Sequence, residues 1–450
     1  MTRLLFPIWL VACSTGNNSP DPLPEREQAG LKAPPPPRSA PKIPGEMELS
    51  GEPSDDLRSI LVISWDTVRE DMVDWESSPG VKTLQSQGTR FTQAFSHFPE
   101  TGISHWSLLT GVEPHVHGNV PGTGGSRYRG PTLAEISKFF GYSTAAFIGG
   151  TTLTDNATGL ARGFDVYNEE WDWMRKDVRP GNQVVWHATR WMKEQEGPFF
   201  AFVHFFEAHH PYEPLFGFET APSDGPRAPD VEAEVANYKA EIRFLDSLLP
   251  DLLDAAGEET IVLLTSDHGE SFEHDYLYNH RESLWDSTMH IPFVLRGPGM
   301  EPGTQSDRLV ALTDAMPTLL EMAGLPSEAK IQGQSLLHDA TREWVYSITD
   351  PFSGGPVKRS ARSSSHKIIW EEGKELLAYD LRTDPAEERP LNEIPADLQV
   401  ALDAYEDVSQ KSEVLQREVL PSRMHNSQEI ERLRSLGYLP SGPKNPQGGP

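Results

Sequence analysis

Residues 59–66 read SILVISWD and residues 260–267 read TIVLLTSD, two apolar, β-branched runs that each stop on an aspartate. Residues 142–150 (YSTAAFIGG), 198–206 (PFFAFVHFF) and 291–297 (IPFVLRG) have the same make-up. A half-exposed strand alternates polar and apolar side chains, whereas an unbroken apolar run fits a strand covered on both faces, as in a parallel sheet. Helical patterns lie between these runs, at 132–141 (TLAEISKFFG) and 234–257 (EVANYKAEIRFLDSLLPDLLDAAG). Strands alternating with helices predict an α/β fold, a doubly wound and mostly parallel sheet with helices on both faces. Between about residues 347 and 391 the pattern changes to HKIIWE, a glycine turn and ELLAYDL, which predicts a small antiparallel C-terminal subdomain.

The chain has 450 residues, enough for one large α/β domain with additions. Its 39 Lys and Arg against 67 Asp and Glu leave a net charge of −28. Nucleic-acid affinity comes largely from neutralising phosphates, so no nucleic-acid partner is expected. An anionic substrate would need a strong local cation. A single cysteine excludes a disulfide framework and any cysteine-rich zinc or iron–sulfur site. No stretch approaches the roughly 18 consecutive apolar residues of a membrane-spanning helix. Residues 14–57 contain ten prolines and read as a linker, and residues 441–450 (SGPKNPQGGP) read as a disordered tail. The main domain is then 58–345 and the C-terminal subdomain 346–440.

Ligands of doubly wound sheets bind at the carboxyl ends of the strands. Asp66 ends the first run, and Asp267-His268-Gly269-Glu270 ends another. Two carboxylates and an imidazole make an ordinary site for zinc, manganese or a related ion. A single strand-end aspartate is more often a helix cap or turn residue; several together point to a site.

The segments ILVISWDTVRED, TGISHWSLLTG, PFFAFVHFFEAHHPYEP, VLLTSDHGES, HIPFVLRGPG and LRSLGYL, in this order, resemble the sulfatase family of the alkaline-phosphatase superfamily, from about residue 59 to 439. The resemblance implies an alkaline-phosphatase-like fold and a divalent metal. It also exposes a departure. Sulfatases carry Cys-x-Pro-Ser-Arg, whose cysteine becomes formylglycine; here Thr101 stands at that position, Ile103 at the proline and His105 at the arginine, and Val112 follows Thr-Gly. With Cys13 the only cysteine, no cysteine-derived formylglycine exists. The segment looks more like the nucleophile stretch of threonine-using phosphodiesterases and phosphotransferases of the same superfamily.

The resemblance implies Asp66, Thr101, Asp267 and His268 as metal ligands, with Thr101 as nucleophile. Coordination of a hydroxyl to a dication lowers its pKa and makes an alkoxide available. Thr101 as a buried structural hydroxyl of a decayed site is the other reading. His209 and His280 are candidates for binding the ester or protonating the leaving oxygen, with His105 a further catalytic candidate. His117 is a pocket or a loop histidine, and Thr67 replaces the second aspartate of a calcium-type site. One metal is expected, zinc or manganese rather than calcium, which prefers six to eight oxygens. A second metal on Glu207, His209 and His280 stays open. Residues 171–179 and 285–289 are candidates to line a substrate groove. Three functions remain: a phosphate mono- or diester hydrolase or transferase, a sulfuric-ester hydrolase without formylglycine, and a non-catalytic envelope lipoprotein.

The first residues, MTRLLFPIWLVAC, join Arg3, a short apolar run and Cys13 after Leu10, Val11 and Ala12. They resemble a bacterial lipoprotein signal, in which cleavage before the cysteine frees it for a diacylglycerol. An apolar strand with a chance cysteine is the alternative. Residues 1–13 are then signal and lipidation site, and a membrane holds the body in the cell envelope, facing the periplasm or exterior. Replacing Cys13 by Ala should leave a soluble or unprocessed chain. Membrane fractionation of that variant like the parent would refute the anchor.

Overall fold

The computed structural model describes residues 52–119, 128, 130–170, 178–213, 231–274, 276–326, 331–339, 342–349, 357–371 and 373–402. Cys13, most of the linker and the tail lie outside the described residues. The large sheet contains β1 (Ile60–Trp65), β2 (Thr89–Phe95), β3 (Ser143–Phe147), β4 (Val166–Asn168), β5 (Phe199–Phe205), β6 (Ile261–Ser266), β7 (Phe293–Arg296) and β8 (Thr304–Ala311). Among the described residues their order is β4-β3-β5-β1-β6-β7-β2-β8.

Every residue of β1, β5 and β6 is buried. In β1, Ile60 and Val62 face one core while Leu61, Ile63 and Trp65 face the other, so the period of two feeds both layers. The first core is closed by the helices Thr101–Thr110, Leu133–Phe139 and Ala315–Met322, through Trp106, Leu133 and Leu319 among others. The second is closed by Pro79–Gln87, Gly181–Lys193 and Val231–Ala256, through Leu84, Val184 and Leu245 among others. Each fully buried side chain of this kind contributes about 1.5–3 kcal/mol. The expected doubly wound fold is therefore present.

Strand β7 departs from the uniform parallel run, pairing antiparallel with both β6 and β2. A parallel neighbour needs a crossover that carries the chain back to the opposite edge of the sheet. Between β6 and β7 the only α-helix among the described residues is the single turn Asp286–Met289, so the chain re-enters at the carboxyl edge and runs backwards. Strands β2 and β8 escape an apolar-run criterion because their burial is uneven; β8 begins with residues 304–308 exposed or half-buried.

A second sheet, β12-β11-β10-β9, is antiparallel throughout: β9 (Val345–Ile348), β10 (Lys358–Arg362), β11 (His366–Glu371) and β12 (Leu377–Asp380). The hairpin read from HKIIWE and ELLAYDL is β11 and β12, extended by two strands. A buried ion network ties this sheet to the helix Asp286–Met289. Lys367 Nζ lies 2.7 Å from Asp286 Oδ1 and 2.8 Å from Glu387 Oε1, and Arg362 Nη2 lies 3.2 Å from Asp286 Oδ2. Burial opposes the charge on Asp286, yet Lys367 and Arg362 hold its carboxyl well below the ordinary range. Lys367→Met would leave two buried carboxylates without their shared cation, at a cost of about 3–5 kcal/mol. Denaturant unfolding measures this; a loss below about 1 kcal/mol would show that the network carries little of the attachment.

Candidate active site

Trp65 is paired with Phe205 on one side and Ser266 on the other, so Asp66 and Asp267 leave adjacent strand ends side by side. Asp66 Oδ2 accepts from the Thr101 hydroxyl at 3.1 Å and lies 3.2 Å from His204 Nε2; its Oδ1 has no partner. Asp267 Oδ1 accepts from the Thr67 and His268 amides at 3.1 and 2.9 Å, and its Oδ2 is unpartnered. His268 Nδ1 is 2.9 Å from the Gly269 carbonyl. A carbonyl only accepts, so Nδ1 carries the proton and Nε2, without a hydrogen bond and 3.4 Å from Asp267 Oδ2, presents a lone pair.

These three residues bring one ligand atom each within 4.8 Å of one another, and all are fully buried. Burial, with the Asp267 charge behind it, pushes the Asp66 carboxyl well above its ordinary range; burial also raises Asp267 and takes His268 down to about 4. Two buried like charges with vacant oxygens repel each other unless a cation lies between them. The donor set fits a divalent metal, held by Asp66, Asp267 and His268 with the Thr101 hydroxyl beside them. Among the described residues no other His, Cys, Asp or Glu group converges this closely.

Thr101 is the first residue of its helix. Glu100 is the reason: its side chain accepts from the Ile103 amide at 3.1 Å and caps the turn. The helix therefore presents the hydroxyl at its amino end, where an anion is also favoured. Thr67, at φ 59°, is held by Tyr238, which donates to its carbonyl at 2.7 Å, and by its own hydroxyl donating to the Ala208 carbonyl at 2.7 Å. This left-handed turn costs a β-branched residue about 1–3 kcal/mol and aims the Thr67 amide at Asp267. Thr67 therefore orients a ligand in place of supplying one.

His209 and His280 come together. Each Nδ1 lies 2.7 Å from a backbone carbonyl, of His210 and Pro99 respectively, and the two Nε2 atoms face each other at 3.4 Å. His280 also stacks on His268, with ring centres 4.2 Å apart. Burial takes His209 down to about 3 and His280 well below the ordinary histidine range.

His105, the further catalytic candidate, lies beneath the turn that carries Thr101. Its Nδ1 donates to the Thr101 carbonyl at 2.7 Å and its Nε2 meets the Ser64 hydroxyl at 2.8 Å, so both nitrogens are engaged beneath the first turn of that helix. It positions Thr101. His117 likewise packs inward, its Nε2 3.1 Å from the Ser107 hydroxyl. Glu207 accepts from the Gly181 amide through one of its oxygens. The sequence reading missed His204, whose one signal is that it is the sole polar residue within PFFAFVHFF.

A divalent ion should stabilise the folded protein by about 2.7 kcal/mol at a hundred times its dissociation constant, since the unfolded chain lacks the site. Asp267→Ala should abolish this rise in the thermal midpoint with zinc or manganese. An unchanged rise in that variant would place the metal elsewhere.

Residues 58–325 match the sulfatase family model, and residues 272–413 match the N-sulphoglucosamine sulphohydrolase C-terminal model. Arylsulfatase K of Xenopus laevis is 30 % identical over 187 residues, covering 36 % of this chain and 34 % of that protein. The chain thus spans about a third of the length of such curated relatives. In fold it is similar to the phosphonate monoester hydrolase of Agrobacterium radiobacter, with TM-score 0.64 and 21 % identity over 80 % of this chain and 96 % of that one. It is similar too to BT4656, solved in complex with its substrate D-glucosamine-2-N,6-O-disulfate, with TM-score 0.66 and 16 % identity over 79 % and 98 %. A family match across more than half of the chain, on a sheet that sets Asp66, Asp267 and His268 together at its carboxyl edge, makes this chain a member of the sulfatase family.

Proposed function

We propose that the chain is a metal-dependent hydrolase that cleaves phosphate mono- or diesters, or transfers the phosphoryl group, through Thr101. One observation carries this reading: the Thr101 hydroxyl, in place of a cysteine, donates to Asp66 beside three convergent vacant ligand atoms. A divalent cation held there, when bound, lowers the pKa of a neighbouring hydroxyl and offsets the charge of the ester. Two carboxylates and an imidazole suit zinc or manganese better than calcium.

The residues of the chain then divide the work. Asp66 Oδ2 is placed to accept the Thr101 proton. The Thr101 oxygen bonds to phosphorus as the ester oxygen leaves, and that oxygen takes its proton from a water in the site; His209 and His280, neutral and with their protons on Nδ1, offer Nε2 as acceptors for that water. Water then breaks the Thr101–phosphorus bond, releasing phosphate and restoring the hydroxyl. His105 and Glu100 keep the nucleophile turn in place throughout.

Phosphate is favoured over sulfate by the chemistry of release. A sulfated formylglycine hydrate can expel sulfate as its second hydroxyl collapses to the aldehyde, but threonine has no second hydroxyl on that carbon. A sulfuric-ester hydrolase remains the second reading, supported by the similarity to arylsulfatase K over part of the chain. A non-catalytic lipoprotein fits poorly, because a binding fold has no use for buried, repelling carboxylates. The Cys13 signal adds the proposal that the enzyme works in the envelope on a lipid anchor.

Matched aryl phosphate, phosphodiester and sulfate substrates should rank with a phosphate ester first by kcat/KM, and Thr101→Ala should lose at least about 10³-fold. A preference for sulfate would sink the substrate assignment alone. Equal activity in parent and variant would sink the nucleophile.

A further inference from the structure

Beyond β3 the chain runs through Gly149 and Gly150 at the carboxyl edge of the sheet. Gly150 bridges to Val178, and the Arg179 amide donates to the Gly149 carbonyl at 2.7 Å. A Cβ on Gly150 would lie 2.5 Å from the Phe206 ring, and that ring stacks on His209 with centres 4.4 Å apart. One aromatic ring therefore separates this segment from the histidine pair.

Arg179 is 1 % exposed. Its Nη1 makes only long contacts, 3.5 Å to the Ile148 carbonyl and 3.3 Å to the Asn168 carbonyl, while Nε and Nη2 have no partner. Among the described residues no carboxylate pairs with it. Burial lowers its guanidinium to about 10, so it stays charged at neutral pH. Three more buried side-chain oxygens nearby in the chain are unpartnered: Thr151 Oγ1, Thr152 Oγ1 and Asn168 Oδ1.

The unused edge of this arginine is the one that grips carboxylates elsewhere in the chain. Arg162 Nε and Nη2 donate to the two oxygens of Glu135 at 3.2 and 2.8 Å, and Arg382 donates to Asp380 in the same way at 2.8 and 3.0 Å. That edge matches a bidentate oxyanion. A buried cation without a counter-charge is unfavourable, more so when left half-bonded. In a chain of net charge −28, Arg179 is also the kind of local cation that an anionic substrate requires.

We infer that Arg179, with the Thr151 and Thr152 hydroxyls, forms a second anion subsite that takes a carboxylate, phosphate or sulfate group borne by the substrate away from the ester being cleaved. The inference rests on the proposed ester hydrolysis for the identity of that ligand as substrate, though not for the subsite itself. The competing arrangement is internal: Asn168 Oδ1 turns to Arg179 and satisfies it without a ligand.

Calorimetric titration of the full-length protein with inorganic phosphate distinguishes the two. The parent should bind phosphate, and Arg179→Gln should lose one equivalent or weaken it at least about tenfold. Identical binding in parent and variant would overturn the subsite. Should Arg179→Gln fail to fold, Thr152→Val removes one hydroxyl and no charge, and should weaken the same equivalent about threefold or more; unchanged affinity there would also overturn it. If no ester is turned over while the Arg179-dependent equivalent persists, the hydrolase reading falls and the subsite stands. If esters are turned over and both variants bind phosphate as the parent does, the subsite alone falls.

Discussion

Asp66 and Asp267 are two buried carboxylates at neighbouring strand ends, each with one oxygen that accepts no hydrogen bond. Such a pair is unfavourable by itself, because burial and mutual repulsion both oppose its charge. The rest of the site makes sense as the means of imposing that pair and of exploiting the cation it calls for. His268 adds a neutral nitrogen with its lone pair forced inward by the Gly269 carbonyl. Thr101 adds a hydroxyl that already donates to one of the carboxylates.

The imposing is done by backbone register. Parallel pairing of β1 with β5 and β6 sets Trp65 beside Phe205 and Ser266, which leaves Asp66 and Asp267 nowhere to go but side by side. The apolar strand residues are buried on both faces, so a slip of one residue would move every side chain to the wrong core. Local devices then aim the groups: the left-handed Thr67, locked by Tyr238, supplies an amide to Asp267, and Glu100 starts the helix at Thr101. His105 ties that first turn to Ser64 of β1, joining helix and sheet directly beneath Thr101.

Much of this is legible in the sequence, and the illegible parts have physical reasons. Unbroken apolar runs ending in acids reveal the central strands and the positions of Asp66 and Asp267. The same runs carry no information on direction, so β7 reads like its parallel neighbours although the lack of a crossover turns it round. Edge strand β8 and its neighbour β2 bury their residues unevenly and show no clean run. His204 is hidden by its setting: only the cross-strand partner Ser64, fixed by register, brings it to Asp66. His105 is visible as a polar residue one helical turn from Thr101, but its engagement with a backbone carbonyl and a serine depends on the fold. Arg179 is visible only as part of a candidate groove segment, since its lack of a counter-ion among the described residues is a fact of three dimensions.

The central claim is that Thr101 attacks the ester and carries the phosphoryl group before water removes it. Two in-line displacements each invert phosphorus, so the two together retain its configuration, whereas direct attack by water inverts it once. The decisive measurement is the stereochemical course at phosphorus during turnover of an isotopically chiral phosphate monoester. Retention is the result predicted from the placement of Thr101 against Asp66; inversion would show that water attacks the ester directly and would contradict the threonine as nucleophile.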